Sequence, residues 1–403
     1  MGQRFFPLDE ALGLLPGAYT PQVQETMTRL GSRLTYREAQ EELALMWKVK
    51  VSKSNLRQVT LRYGQVADAR NAQKVVELEE KAPTPTAQPK QLVMSTDGAM
   101  VQLTSGEWRE VKTVAFGEFT PCWDAKQRKV VTQTERVSYF SRVAPAEEFG
   151  RSALVEWHRR GGDNAQRVVA VNDGAVWIQS FIDYHCPQAT RVIDFAHAQS
   201  YVATVGRAVY GADTDTFHRW FARMSRQLGQ QPPQRTVNEL RLLQRQHPDH
   251  PEAETIEVAI RYLEKREAMI DYPHFRRQQI PIGSGIGESG HKVVMQRRMK
   301  QAGMRWAEAN LNPMLALRTA LCNQTWSTCW QEIVAQVHQQ QYGASAKKKQ
   351  AAVKAPQPEF VTEADCQRLT ALADKLAKRS PKGRPWRDHR WIFRHRQRLL
   401  HQK

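Results

Sequence analysis

Between residues 91 and 193 the chain changes texture in an order that leaves few folds open. Gln91–Val101 (Gln-Leu-Val-Met-Ser-Thr-Asp-Gly-Ala-Met-Val) is a largely apolar run of strand length, and Trp108–Phe119 and Lys129–Val143 alternate in the strand manner. Pro145–Arg160 then has helical periodicity through Phe149, Leu154 and Trp157 and stops at Gly161-Gly162. Arg167–Asn172 (Arg-Val-Val-Ala-Val-Asn) is a second buried strand, Ala175–His185 a helix, and Thr190–Ile193 a short strand. Residues 198–280 carry no strand signal. They are expected to form an all-helical insertion with helices over Phe217–Leu228, Val237–Gln246 and Glu252–Ile270, and Gly287–Gln301 and Leu311–Gln324 are helical again.

Three antiparallel strands, a helix, a strand, a helix and a strand is the order of a ribonuclease-H-like α/β core with a mixed sheet. In that fold the first and fourth strands lie side by side at the sheet centre. Asp97 lies within the first strand run, and Asp173 sits at the tip of the fourth. A carboxylate in a buried run is costly unless compensated, and a hard divalent cation such as Mg²⁺ compensates it well. A third acid, Glu288, follows the glycine-rich approach Ile282-Gly-Ser-Gly-Ile-Gly287, which lets backbone pass close to a metal or phosphate. Three such carboxylates suit two metal ions about 3.5–4 Å apart working on an in-line phosphoryl displacement. Asp-Gly is also a turn signal, so Asp97-Gly98 and Asp173-Gly174 each remain open to a plain turn. Gly285–Lys292 superficially resembles a nucleotide-binding P-loop, but one residue too many precedes Lys292, and Val293 stands where Ser or Thr is required. Nucleotide hydrolysis is excluded on that ground.

The balance of charge points to a polyanionic partner. Lys and Arg number 59 against 41 acids, a formal charge of +18. Residues 375–403 alone hold 11 Lys/Arg against one acid, with Trp386, Trp391 and Phe393 interleaved, a mixture that suits stacking and phosphate contacts. Lys292, Arg297, Arg298, Lys300 and Arg305 follow Glu288 with no intervening acid, and helical spacing would put Lys292, Gln296 and Lys300 on one side. The five cysteines are odd in number and lack CxxC spacing, against a disulfide framework or zinc site. With no apolar run long enough for a membrane helix and no signal-peptide pattern at Met1–Pro7, a cytoplasmic, nucleoid-associated protein is expected.

At the N-terminal end, Thr35-Tyr-Arg-Glu38 resembles a capping box, with Ala39, Leu43 and Met46 on one face of the helix it opens. A turn at Lys48–Val51 and a Ser52 cap lead to a second helix carrying Leu56, Val59 and Leu61. The pair is a helix-turn-helix candidate or an ordinary helical hairpin. Pro- and Thr-rich Glu77–Pro89 and Lys/Ala/Pro-rich Ala344–Pro358 are expected linkers. The expected organisation is a helical DNA-binding region at 1–76, a linker at 77–90, the first part of the core at 91–197 and the insertion at 198–281. The last part of the core follows at 282–340, then a linker and basic region at 341–403.

These residues resemble a known family. Asp97-Gly98 with Trp108-Arg-Glu110-Val-Lys112, Asn172-Asp173-Gly-Ala-Val-Trp177, Asp194-Phe-Ala-His197, and Ser284-Gly-Ile-Gly-Glu288 with the run to Trp306 look like prokaryotic insertion-sequence transposases of the ISKra/ISLre type, within the Mutator-like DDE group. The resemblance covers roughly residues 20–335 and Pro385-Trp386-Arg387, and is most specific over 282–306. Spacing alone leaves the second catalytic acid open between Asp173 and Asp194. The family pattern implies Asp173, with Asp194 and His197 as the accessory element that follows it, His197 orienting the scissile phosphate or bonding to a ligand. Gly287 departs from the pattern, which usually has a larger apolar residue there, and the departure is expected to loosen the approach to Glu288. The resemblance implies a transposase using two Mg²⁺ or Mn²⁺ ions on Asp97, Asp173 and Glu288 to cleave and join double-stranded DNA. Terminal inverted repeats and target DNA would be its partners, and a homodimer or higher oligomer its form. Lys292, Gln296, Arg297, Arg298, Lys300, Arg305, Trp386, Arg387 and Arg390 would contact DNA. The competing expectation is an inactive or domesticated DNA-binding or nuclease derivative.

Overall fold

The computed structural model describes residues 13–126 and 128–353, with only the backbone for Lys129 and residues 342–353. The chain divides into two compact units, Met1–Gln341 and Tyr342–Lys403, and the description below concerns the first. It is a mixed α/β structure around a five-stranded sheet. The strands are β1 (Gln91–Gln102), β2 (Trp108–Asp124), β3 (Lys129–Arg142), β4 (Arg167–Asn172) and β5 (Thr190–Ile193), in the order β3-β2-β1-β4-β5. β1, β2 and β3 are mutually antiparallel neighbours, while β4 and β5 continue the sheet parallel to β1. Strand alternation therefore commits each face to a different core. Val93, Val169, Val171 and Val192 face one layer of helices, and Leu92, Met94, Phe116, Val168 and Ala170 face another.

The second of those layers is α4 (Ala146–Arg159) and α5 (Val176–His185), which bring Phe149, Trp157, Phe181 and Ile182 onto the sheet. Gly161, at φ 66°, ends α4 in the left-handed region as the Gly-Gly pair suggested. The first layer comes from α6 (Phe195–Tyr210), α7 (Asp215–Gln230), α8 (Pro233–Gln246), α9 (Ala253–Glu264) and α10 (Tyr272–Arg277), with a 3₁₀ turn at Glu267–Met269. Among the described residues 198–280 contains no strand. Glu252–Ile270, expected as one helix, is broken after Glu264 and resumes only as the 3₁₀ turn.

α1 (Pro21–Arg33), α2 (Tyr36–Met46) and α3 (Lys53–Lys81) form the N-terminal helices. Thr35 and Glu38 make the reciprocal capping box, and Ser52 caps α3 by accepting from the Asn55 amide. Ala39 and Leu43 are buried, but Met46 is 72% exposed, so it is not part of the buried stripe. α3 continues to Lys81, so Glu77–Lys81 is helix, not linker. Its residues are compatible with helix, and the first proline comes only at Pro83. These helices share one core with α13 (Leu311–Cys322) and α14 (Trp326–Val353), where Met27, Leu56 and Tyr63 meet Leu317, Trp330 and Ile333. Gly64 permits the contact: a Cβ there would stand 2.5 Å from the Pro313 carbonyl oxygen. The expected second linker is likewise helical through Val353, for want of a proline before Pro356, and residues 354–358 lie outside the described residues. Among the described residues no helix is long and apolar enough to cross a membrane.

Candidate active site

The parallel ladder between β1 and β4 ends at Met94–Ala170. Three residues beyond that rung stand Asp97, within β1 and opposite Thr113 of β2, and Asp173, just past the end of β4, at the carboxyl end of the parallel pairing, where ligands bind in open α/β sheets. By alternation both extend the face of Val93, Ser95, Val169 and Val171. The short helix α11 (Gly285–Gly290) crosses that same face. Its closest approach is Gly287, where a Cβ would lie 2.6 Å from Ser95 Oγ, while Gly290 rides over Thr113 and Tyr139. This corrects the expected effect of Gly287: the missing side chain tightens the seating of the Glu288 helix on β1. A larger residue would lift it away.

The three carboxylates differ in their surroundings. Asp97 accepts the Gly98 amide at 2.7 Å through Oδ1, and its Oδ2 lies 3.5 Å from His291 Nε2. Burial raises the Asp97 carboxyl above its ordinary range. His291 and the Gly98 amide oppose the rise, and the negative charges of Asp173 and Glu288 add to it. Asp97 therefore lies within electrostatic reach of both other acids. Asp173 Oδ1 accepts the Ala175 amide at 2.9 Å, an Asx turn at the strand end. Glu288 is the most open of the three at 62% exposure, with Lys292 Nζ at 3.7 Å.

Asp194 is placed quite differently. Its Oδ1 caps α6 by accepting the His197 amide at 2.8 Å, and its Oδ2 accepts the Ser284 amide at 2.7 Å and hydroxyl at 3.0 Å. With Phe195 N–H donating to the Ile282 carbonyl at 2.9 Å, Asp194 latches the loop that delivers Glu288. His197 is half-buried, its ring edge-on to Tyr201 and Tyr262 at 5.3 and 5.8 Å.

Sequence reasoning overlooked His291. It is 3% exposed, and neither ring nitrogen has a hydrogen-bond partner, although Nε2 faces Asp97. Its position three residues after Glu288 was the available signal. Burial lowers its pKa, against the pull of Asp97. His291–Gln296 is a π-helical segment. Such segments leave carbonyls short of partners, and here buried Arg318 donates to the carbonyls of Val293 and Val294.

Among the basic residues the structure separates surface from core. Lys292, Arg297, Lys300 and Arg305 are exposed, and Gln296 is half-buried. The wider π turn and the end of the short helix α12 (Arg297–Met299) break the expected Lys292–Gln296–Lys300 stripe. Arg298, expected at the DNA surface, is only 1% exposed. It donates to the Gly31 carbonyl at 3.0 Å and lies over Tyr36 and Trp306, so its role is to tie the N-terminal helices to the core. Trp386, Arg387 and Arg390 lie outside the described residues.

A family model matches residues 4–333, and with them Asp97, Asp173, Asp194 and Glu288. The chain belongs to the uncharacterised protein family UPF0236. That description assigns UPF0236 no activity, and no curated protein matches the chain. Among the described residues of this UPF0236 chain no three His, Cys, Asp or Glu side chains close into a metal cage. The donor set nonetheless fits a hard cation. Asp97 and Glu288 keep part of their surface exposed, Asp97 feels the charge of both other acids, and Mg²⁺ keeps several waters and binds through few carboxylates plus substrate phosphates.

Proposed function

We propose that this chain is a DNA transposase of an insertion sequence, with a ribonuclease-H-like core whose Asp97, Asp173 and Glu288 hold two Mg²⁺ or Mn²⁺ ions. The observation that carries the reading is the placement of Asp97 and Asp173 three residues past the last rung of adjacent parallel strands, with Glu288 brought over the same face by Gly287. Bound ions would supply the activation of an attacking oxygen and the stabilisation of a leaving oxygen in phosphoryl transfer. Asp173 rather than Asp194 is the second acid because both Asp194 oxygens are engaged in capping α6 and latching Ser284. His291, 3.5 Å from Asp97, offsets part of the cost of its negative charge.

Exposed Lys292, Arg297, Lys300 and Arg305 would bind the DNA backbone beside the acids. The first turns of α3 expose Lys53, Asn55, Arg57 and Gln58, while Leu56 and Val59 anchor the helix. The start of a recognition helix presents itself to a groove in this way, and the element ends are its expected partner.

The test is strand cleavage of labelled duplexes carrying the inverted repeats that flank the gene, in Mg²⁺ or Mn²⁺. Asp97→Asn, Asp173→Asn and Glu288→Gln should each lower cleavage by about 10³-fold or more while sparing DNA affinity. Full cleavage by Asp173→Asn, with its loss in a folded Asp194→Asn variant, would overturn the assignment. An affinity indifferent to salt would overturn the nucleic-acid partner.

A further inference from the structure

The helical stretch between β5 and α11 does more than cover one face of the sheet. Three of its side chains reach the main-chain carbonyls at the ends of β4 and β5. The Tyr262 hydroxyl, on α9, donates to the Asp173 carbonyl, and Arg266 Nη2 donates to the Gly174 carbonyl at 3.1 Å. Tyr272, fully buried at the start of α10, donates to the Ile193 carbonyl at 3.0 Å. The first two are locked to each other. Arg266 lies 4.0 Å from the Tyr262 ring centroid, and Tyr201 stacks on Tyr262 at 3.9 Å with an interplanar angle of 6°. The turn they hold fits them closely. Gly174 has φ +74°, and a Cβ there would meet Tyr262 Oη at 2.6 Å and Arg266 Nε at 3.0 Å. Burial raises the Tyr262 hydroxyl above its ordinary pKa, so it remains a donor at neutral pH.

We infer that Tyr262 and Arg266 are positioning residues which brace the Asp173–Gly174 turn, so that the helical insertion sets where the second carboxylate of the site stands. The inference rests on the carboxylate site proposed above, but its mechanical part can be tested apart from it. The brace acts on main-chain oxygens, so it does not engage the Asp173 carboxylate, whose Oδ1 accepts the Ala175 amide, while it limits the rotations open to the turn. A ligand held this way loses little freedom on binding a cation, and removing groups that orient ligands typically weakens metal affinity about 10- to 100-fold.

The experiment uses the full chain and two variants. Tyr262→Phe keeps the stack on Tyr201 and removes the donor, and Arg266→Gln removes the charge over the ring. Amide hydrogen exchange reads the turn directly, because the Gly174 and Ala175 amides donate to Asn172 Oδ1 and Asp173 Oδ1. In Tyr262→Phe exchange at these two amides should quicken about five- to tenfold, with distant core amides unchanged. Mn²⁺, titrated alone, should bind about tenfold more weakly, and cleavage should recover at saturating Mn²⁺. A fall in melting temperature without either change would make the contacts merely structural and overturn the inference, as would unchanged exchange in both variants. If wild-type chain bound no Mn²⁺, the carboxylate site would fall, while faster exchange in the variants would still support the brace.

Discussion

The two faces of the central sheet are built from the same strands and follow opposite rules. Behind β1 and β4, Phe116, Phe149, Trp157, Phe181 and His185 close into an aromatic layer, with rings at 4.5–5.8 Å. Its polar atoms are mostly held: Trp157 Nε1 donates to Asp163 at 2.7 Å and His185 Nε2 to the Gly150 carbonyl at 3.0 Å, although His185 Nδ1 has no partner. In front, at the edge where Asp97, Asp173 and Glu288 gather, like charges crowd and a buried histidine has no hydrogen-bond partner. One face is arranged for stability. The other buries part of a carboxylate among like charges, an arrangement that the proposed metal site would relieve.

Substitutions should divide along that line. Trp157→Ala, behind the sheet, empties a 1%-exposed site and should cost about 3–5 kcal/mol in denaturant unfolding, leaving Mn²⁺ affinity of the folded fraction unchanged. Asp97→Asn, in front, should do the reverse, leaving the metal-free melting temperature unchanged or higher because it relieves the repulsion. A Trp157→Ala chain as stable as wild type would break the comparison at its firmest point.

Protons offer a milder probe of the rear face. Burial pushes the His185 pKa from 6.5 down to about 4. The folded chain therefore binds this proton less readily than the unfolded chain. The stability it contributes is complete above about pH 6.5 and is lost as pH falls toward 4, by about 3 kcal/mol at most. His185→Leu should flatten that slope in unfolding measured across this window; an identical slope would place the acid sensitivity elsewhere.

The smallest effect is at the joint between the faces. Gly287→Ala should cost about 1 kcal/mol of stability, yet lower cleavage by more than that cost explains, because it lifts Glu288 from β1. Adding Ser95→Ala removes the hydroxyl that the new methyl meets and should restore part of the loss. A fully active Gly287→Ala would show that the close approach does not matter.

The strand order was legible because alternation and apolar runs report on local burial, and Thr190–Ile193 agrees with the sequence expectation at both ends. Asp97 and Asp173 were legible as candidates because a carboxylate in or beside an apolar run conflicts with its surroundings, and Glu288 because a glycine-rich approach leads into it. What the sequence hid was long-range. Nothing local tells that Arg298 turns inward to Gly31 while Arg297 stays outside, or that Tyr262 reaches Asp173 across 89 positions. Gly287 was misjudged for the same reason. The effect of a missing side chain depends on the partner that approaches, and Ser95 lies far away in sequence.

The most direct measurement is calorimetric titration of the full chain with Mn²⁺ near neutral pH. Saturable binding that Asp97→Asn, Asp173→Asn and Glu288→Gln each weaken strongly, and Trp157→Ala does not, is the predicted result. Binding that survives all three substitutions, or none by the folded wild-type chain, would contradict a metal site built from these carboxylates.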